Sequence, residues 1–351
     1  MSLGFVVLAT TGTHAQGLGG AGGGPTPGSP VPPTARERSN PPGPGASSPN
    51  VVVDLSPRLT PGEVNTWRMT TTSRNETEGG AMGLPTSSET TQEITIRAEV
   101  LQSEDGVRWA ELTLQRVKIR YEAEGIRIEA DSASAPSTSP PSNRPADDLD
   151  RLIDEQTRRL QSVMDAGVRQ MASTRLRVRF NASGEVEAVE GGGGLGVGGP
   201  LGALGLAGAA AGAEGADATS VFGPIVARRP GTGGAKVRVG ERWTTQTDLN
   251  LRPLGGVRLR SEYELRSVEG TTAVVSMRSS LEPASGAPDA PMQVRSIRRV
   301  GTFSWDAENR RLESMHSEME MHVVAGTVPG MPEIRSRAVT RLERLDEARP
   351  R

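Results

Sequence analysis

Cysteine is absent from the chain, which excludes disulfides, thiolate metal sites, a cysteine nucleophile and a lipid carried on an N-terminal cysteine. Aromatic residues are scarce, with four Trp, two Tyr and four Phe in 351 residues, so any core must be built from Val, Leu, Ile, Met and Ala. Of the 40 basic residues only Lys118 and Lys236 are lysine, a bias that with abundant Gly, Ala and Pro reflects a GC-rich bacterial genome. Neither sign of charge dominates: the formal net charge of −2 supplies no field for nucleic acid, and no nucleic-acid partner is expected. A G-x-S-x-G elbow is missing, and with three histidines in the chain the bases open to a catalytic triad are His316 and His322 on one strand. The shortage of aromatics also leaves little for the stacking surfaces of a glycosidase.

What is present is an order of parts that occurs twice. Pro61-Gly62-Glu63-Val64-Asn65-Thr66-Trp67 leads a Thr-rich alternating run, and Val239-Gly240-Glu241-Arg242-Trp243 leads another. After each comes a strand-like segment (Glu93 to Leu101, then Val257 to Val268), an acidic-Gly turn (Asp105-Gly106, then Glu269-Gly270) and a further strand. Period-2 alternation is clearest where Val257, Leu259, Tyr263 and Leu265 face away from Arg258, Arg260, Glu262, Glu264 and Arg266. Between Leu114 and Val117 the apolar phase slips by one residue, which predicts a bulge near Gln115-Arg116. One helix is predicted over about 147–172, with Leu149, Leu152, Ile153, Leu160, Val163, Met164, Val168 and Met171 as its apolar stripe and Asp147-Asp148 at its start. The fold class predicted is β-rich (α+β): two related antiparallel β units forming curved sheets or half-barrels, with one long amphipathic helix packed on them.

The N-terminus carries the apolar run Leu3-Gly4-Phe5-Val6-Val7-Leu8-Ala9 and small residues around His14. That pattern reads as a signal peptide over 1–15, although its basic n-region is missing, and predicts a secreted or periplasmic protein. Residues 16–50 are a Pro/Gly-rich linker that cannot bury enough apolar surface to order itself. The first β unit is expected over 51–189 and the second over 217–347, with a Gly/Ala-rich linker at 190–216. Gly194-Leu195-Gly196-Val197-Gly198-Gly199 matches a dinucleotide fingerprint in spacing. An Arg-rich hairpin precedes it and a Gly-rich run follows, so it reads as low complexity and no cofactor is expected. The same uncharged stretch contains eleven glycines over 191–213. Exposed glycine backbone is costly in lipid, so no transmembrane segment is expected in the mature chain.

Two sets of residues are candidates for a site. On the strand from Leu312 to Val324, His316, Glu318, Glu320 and His322 share one face and Met315, Met319, Met321 and Val323 the other. Neighbours on one face lie about 6.5–7 Å apart, close enough to contribute to a zinc-like site if another strand supplies a further ligand. The simpler reading is a solvated face opposite a Met-lined core. On the helix, Leu152, Leu160, Met164 and Met171 would line an adaptable apolar surface for a ligand held against the sheet. Their alternative role is to fill core gaps.

The order of parts resembles an uncharacterised family of secreted bacterial envelope proteins, a domain of unknown function. The resemblance rests on Leu59-Thr60-Pro61-Gly62, Ala130-Asp131-Ser132, Asn181-Ala182-Ser183-Gly184 and Val237-Arg238-Val239-Gly240-Glu241-Arg242-Trp243, and spans about 50–345. It implies secretion and a β-rich fold and offers no activity to carry over. More loosely, sheet plus helix is similar to the half-barrels of periplasmic lipid and lipoprotein carriers. The function expected is therefore non-enzymatic binding of an apolar or amphiphilic ligand, or of an envelope partner, on a curved sheet. The alternatives are a scaffold with a filled core and, third, a metal-assisted hydrolase.

Overall fold

Alternating Val, Ile, Thr and Leu dictate long strands here. The computed structural model describes residues 51–78, 86–101, 108–123, 126–135, 148–173, 175–180, 186–191, 236–250, 256–281, 292–325 and 333–345, all within the compact unit Ser47–Arg351. The elements in chain order are β1 (Val52–Asp54), β2 (Val64–Glu78), β3 (Thr86–Leu101), β4 (Arg108–Ala123), β5 (Ile126–Asp131) and α1 (Asp148–Ala172). They continue with β6 (Arg175–Phe180), β7 (Val186–Gly191), β8 (Lys236–Arg238), β9 (Arg242–Asn250) and β10 (Gly256–Glu269). The last four are β11 (Thr272–Leu281), β12 (Met292–Asp306), β13 (Arg311–Ala325) and β14 (Glu333–Leu345).

The fold is mostly β, antiparallel and curved, with one described helix and no closed barrel. A twelve-stranded sheet runs β7-β6-β4-β3-β2-β14-β13-β12-β11-β10-β9, and β5 pairs with β4 off that path. Both sequence stretches thus share one sheet. They meet where β14 pairs with β2, in register from Glu333–Glu78 to Leu345–Thr66. Opposite Thr95 and Ile96 the partners on β4 are Arg116 and Leu114, so Gln115 bulges out where the apolar phase slips.

The core lies on one face, here the inner face. Ile96, Val117, Leu265, Val275, Trp305 and Leu312 are fully buried in it. Helix α1 packs on β4 and β5, setting Met164 and Val168, both without solvent exposure, among Val117, Ile119, Ile128 and Ala130. Gln161 Nε2 donates to the Glu129 carbonyl at 2.8 Å, and Arg169 sits in the last turn, where the helix dipole favours a cation.

A two-stranded strap, β1 with β8, crosses one end of the sheet. Trp305 Nε1 donates to the Asp54 carbonyl at 3.2 Å, and Arg310 donates to the Ser56 carbonyl at 3.0 Å. The ends of the strap are tied by two turns of one design. Glu63 N bonds Thr60 O (2.9 Å), Gly62 N bonds Val100 O (2.8 Å) and Val100 N bonds Glu63 O (2.9 Å). In the same pattern Glu241 N bonds Arg238 O (2.9 Å), Gly240 N bonds Leu265 O (2.7 Å) and Leu265 N bonds Glu241 O (3.2 Å). Gly62 at φ 80° and Gly240 at φ 84° hold the left-handed position that a type II turn reserves for glycine.

The two tryptophans do not occupy matching places in this scheme. Trp67 follows its turn glycine by five residues and pairs with Ile96, whereas Trp243 follows by three and pairs with Tyr263. Both are buried on the inner face, one pleat apart, so the turn and not the aromatic is the point of correspondence.

Candidate functional site

Strand register lays the inner face out as rows that cross the sheet. Next to the row of Trp305, which meets the strap, runs an apolar row: Leu265, Val275, Phe303, Met315, Leu342, Met69 and Ile94. Above it run Trp243, Tyr263, Met277, Gly301, Ser317, Thr340 and Thr71. The third row is Thr245, Ser261, Ser279, Arg299, Met319, Ala338, Ser73 and Thr90. In the fourth, Leu259, Leu281, Ile297 and Met321 are followed by Ser336 and Asn75.

This ordering separates two apolar clusters. The main core takes the first row together with Trp243 and Tyr263. A second cluster gathers Leu259, Leu281, Val294, Met319 and Met321 around Ile297, and only Ile297 is fully packed away while the others keep part of their surface. Between them lies the hydroxyl-bearing row, in which Ser261 and Ser279 bond each other at 2.8 Å. Three buried polar atoms on this face have no hydrogen-bond partner among the described residues: Ser73 Oγ, Ser336 Oγ and Trp243 Nε1. Such groups are rare in folded proteins.

Across these four rows Arg299 is the one charged side chain. Its Nη2 donates to Ser317 Oγ at 3.3 Å, and burial pushes the guanidinium below its ordinary value while the nearby Tyr263 partly offsets that shift. Tyr263 is fixed by stacking on Trp243 (centroids 5.5 Å, 11° between planes) and by an edge contact with Phe303 at 6.2 Å. The outer face is the opposite in character. Several of its arginines are paired with carboxylates: Arg242–Glu264 at 3.0 Å, Arg266–Glu264 at 3.1 Å and Arg337–Glu318 at 3.1 Å.

The residues singled out from sequence are placed as follows. His316, Glu318, Glu320 and His322 lie on the outer face of β13, with His316 3.6 Å from Glu318 and His322 3.1 Å from Glu333. Arg337 first, then His316, hold the Glu318 carboxyl below its usual range, so this carboxylate is already engaged by a cation. Among the described residues no three His, Asp or Glu side chains are grouped to hold a metal ion. On α1, Met164 is wholly buried and Leu160 and Met171 pack against the main core. The side chain of Leu152 lies outside the described residues, as do the signal-like run, the 16–50 linker and nearly all of the Gly-rich linker.

Arg299 went unnoticed in the sequence. The signal was available, because Ile297, Phe303 and Trp305 share its parity, but a bulge between Val294 and Ser296 breaks the alternation just before it. Three further hollows are described. A cavity of about 60 Å3 lies among Trp67, Ala98, Leu112, Phe180 and Leu312, too small for a ligand site of typical volume. Clefts of about 480 Å3 at Arg74, Glu89, Glu122 and Arg127 and about 490 Å3 at Arg58, Arg108, Glu308 and Arg310 are lined by mixed charges.

No family model matches the chain, and no curated protein does, so the resemblance to an uncharacterised envelope family rests on its short motifs. Among solved structures, one titled "Lipid-protein interactions in lipovitellin" aligns at 12% identity and TM-score 0.41 over 84% of this chain and 26% of that one. An outer membrane channel from Pseudomonas putida F1 aligns at 9% identity and TM-score 0.22, over 85% of this chain and all of that one. A mutant of Rh. blastica porin gives 9% identity and TM-score 0.22 over 81% of this chain and all of that one. The chain thus spans about a quarter of lipovitellin, and at these scores none of the three informs its function. Among the described residues no helix is long and apolar enough to cross a membrane.

Proposed function

We propose that this is a non-enzymatic binding protein, secreted or periplasmic, that holds an apolar or amphiphilic ligand on the inner face of its curved sheet. The observation that carries the reading is the second apolar cluster, where Leu259, Leu281 and Met321 remain part-exposed around Ile297, apart from the main core. Apolar surface gathered on the core side of a sheet and not consumed by packing is what a carrier needs and a scaffold lacks. Methionines at Met277, Met319 and Met321 make that surface adaptable. The helix end of the molecule favours the scaffold reading instead, because Met164 and Val168 are packed without solvent exposure. We therefore place the ligand on β10–β13 and leave Leu160, Met164 and Met171 the role of completing the core. The matching turns at Gly62 and Gly240 support an origin of the two strap ends by duplication.

The test uses the full chain and the neutral dye N-phenyl-1-naphthylamine. Saturable fluorescence enhancement is expected, and Ile297→Glu should abolish it while Glu320→Gln on the outer face leaves it intact. A wild-type protein that leaves the dye unchanged would leave the scaffold reading.

A further inference from the structure

Among the described residues Arg299 is a cation without a counter-ion. Among the described residues no carboxylate lies within salt-bridge distance of it, and its one hydrogen bond, to Ser317 Oγ, is long at 3.3 Å. A half-buried charge left without a partner carries a desolvation cost that no pairing offsets. On the outer face some arginines of the sheet do pair with carboxylates, as at Arg242–Glu264 and Arg337–Glu318.

We propose that Arg299 receives the carboxylate of a single-chain fatty acid whose hydrocarbon lies on the neighbouring apolar row. The inference rests on the binding function above and names its ligand class. One guanidinium and no second basic residue in the four rows match one negative charge, not the two of a phosphate monoester. A planar guanidinium fork is also the natural partner of a planar carboxylate. The buried Trp243, whose Nε1 has no partner among the described residues, stacks on the Tyr263 that neighbours Arg299 and offers a neutral donor to the same region. Two residues along β12 from Arg299 stands Ile297, and Leu259, Leu281 and Met321 continue its row over four strands. Three strand spacings give roughly 14 Å of apolar track, a width suited to one extended acyl chain and not to a bulky head.

The experiment is displacement of N-phenyl-1-naphthylamine from the full chain at pH 8. Dodecanoate should compete at least tenfold better than dodecyltrimethylammonium, and acetate or inorganic phosphate at the same concentration should not compete. In Arg299→Met the dye should still bind while the dodecanoate midpoint moves at least tenfold higher; Arg299→Lys should restore part of the preference. Arg299→Gln serves if the Met variant does not fold, and the wild-type comparison of the two surfactants decides alone if neither does. Equal competition by the anionic and cationic amphiphiles, or an unchanged dodecanoate midpoint in Arg299→Met, overturns the carboxylate site and leaves the binding function standing. Failure of the wild type to bind the dye or dodecanoate at all overturns both.

Discussion

Single side chains in this fold are constrained most tightly where strands come closest. Gly301 faces Ser317 across β12 and β13, and a Cβ there would stand 2.6 Å from the His316 carbonyl oxygen and 2.9 Å from Ser317 Cβ. Gly301→Ala must push the strands apart and should cost about 1–3 kcal/mol, read as a lower urea midpoint with the denaturant slope unchanged. Asp306 governs the turn after β12. Burial raises its carboxyl pKa, but the Asn309 amide and side chain, the Glu308 amide and Arg311 outweigh that and hold it below its ordinary value. A carboxyl depressed on folding contributes stability that is full above the unfolded value of about 3.9 and fades as pH falls through the lower folded value. The urea midpoint should therefore drop between pH 5 and pH 3, and Asp306→Asn should remove that part of the drop; an unchanged acid response in the variant would refute the assignment. Little of this is legible in the sequence. Gly301 reads as an ordinary strand glycine because the atoms it meets belong to β13, and Asp306 reads as one acid among 42 acidic residues although its partners Glu308, Asn309 and Arg311 follow within five residues.

Elements were far more legible. The stripe of Leu160, Met164, Val168 and Met171 announces a helix because its spacing survives any tertiary setting, and the helix found, Asp148–Ala172, begins one residue after the expected start. The bulge at Gln115 is equally local, since a slipped phase on a continuous strand has no other resolution. Met164→Ala should cost about 2–5 kcal/mol, because a fully buried side chain leaves a void between α1 and the sheet; an unchanged thermal midpoint would show that the helix docks loosely. The strap gives a second prediction at this scale. Trp305→Phe removes the donor to the Asp54 carbonyl and should cost about 1–3 kcal/mol if that oxygen is left unsatisfied. Amide exchange should then speed up at Val239, whose N–H bonds Val51 O at 3.3 Å; equal exchange in both proteins would mean the strap is held by its turns alone. That β1 and β8 pair at all was hidden, since three residues each of Val, Asp, Lys and Arg carry no pairing code.

At the scale of the molecule, the alternation of apolar and charged residues specified a curved antiparallel sheet but not its order. Two similar stretches invite the picture of two sheets side by side. The chain instead lays its last described strand against its first long one, and Thr340 meets Thr71 at 3.3 Å between hydroxyls across that junction. Nothing in either segment states this, because register between segments more than 250 residues apart is decided by the match of whole faces. Removing residues 333–351 should therefore do more than shorten the sheet: we expect loss of a cooperative thermal transition and oligomers by size-exclusion chromatography, and a monomeric, cooperatively melting truncation would refute it. The junction also sets a clock on biogenesis. A ribosome delivers β2 more than 250 residues ahead of β14, so until β14 emerges the 15-residue edge of β2 is an open hydrogen-bonding ledge facing every other nascent chain. Its Thr, Asn, Arg and Glu side chains, polar to an unusual degree for so central a strand, keep that ledge soluble until its partner arrives.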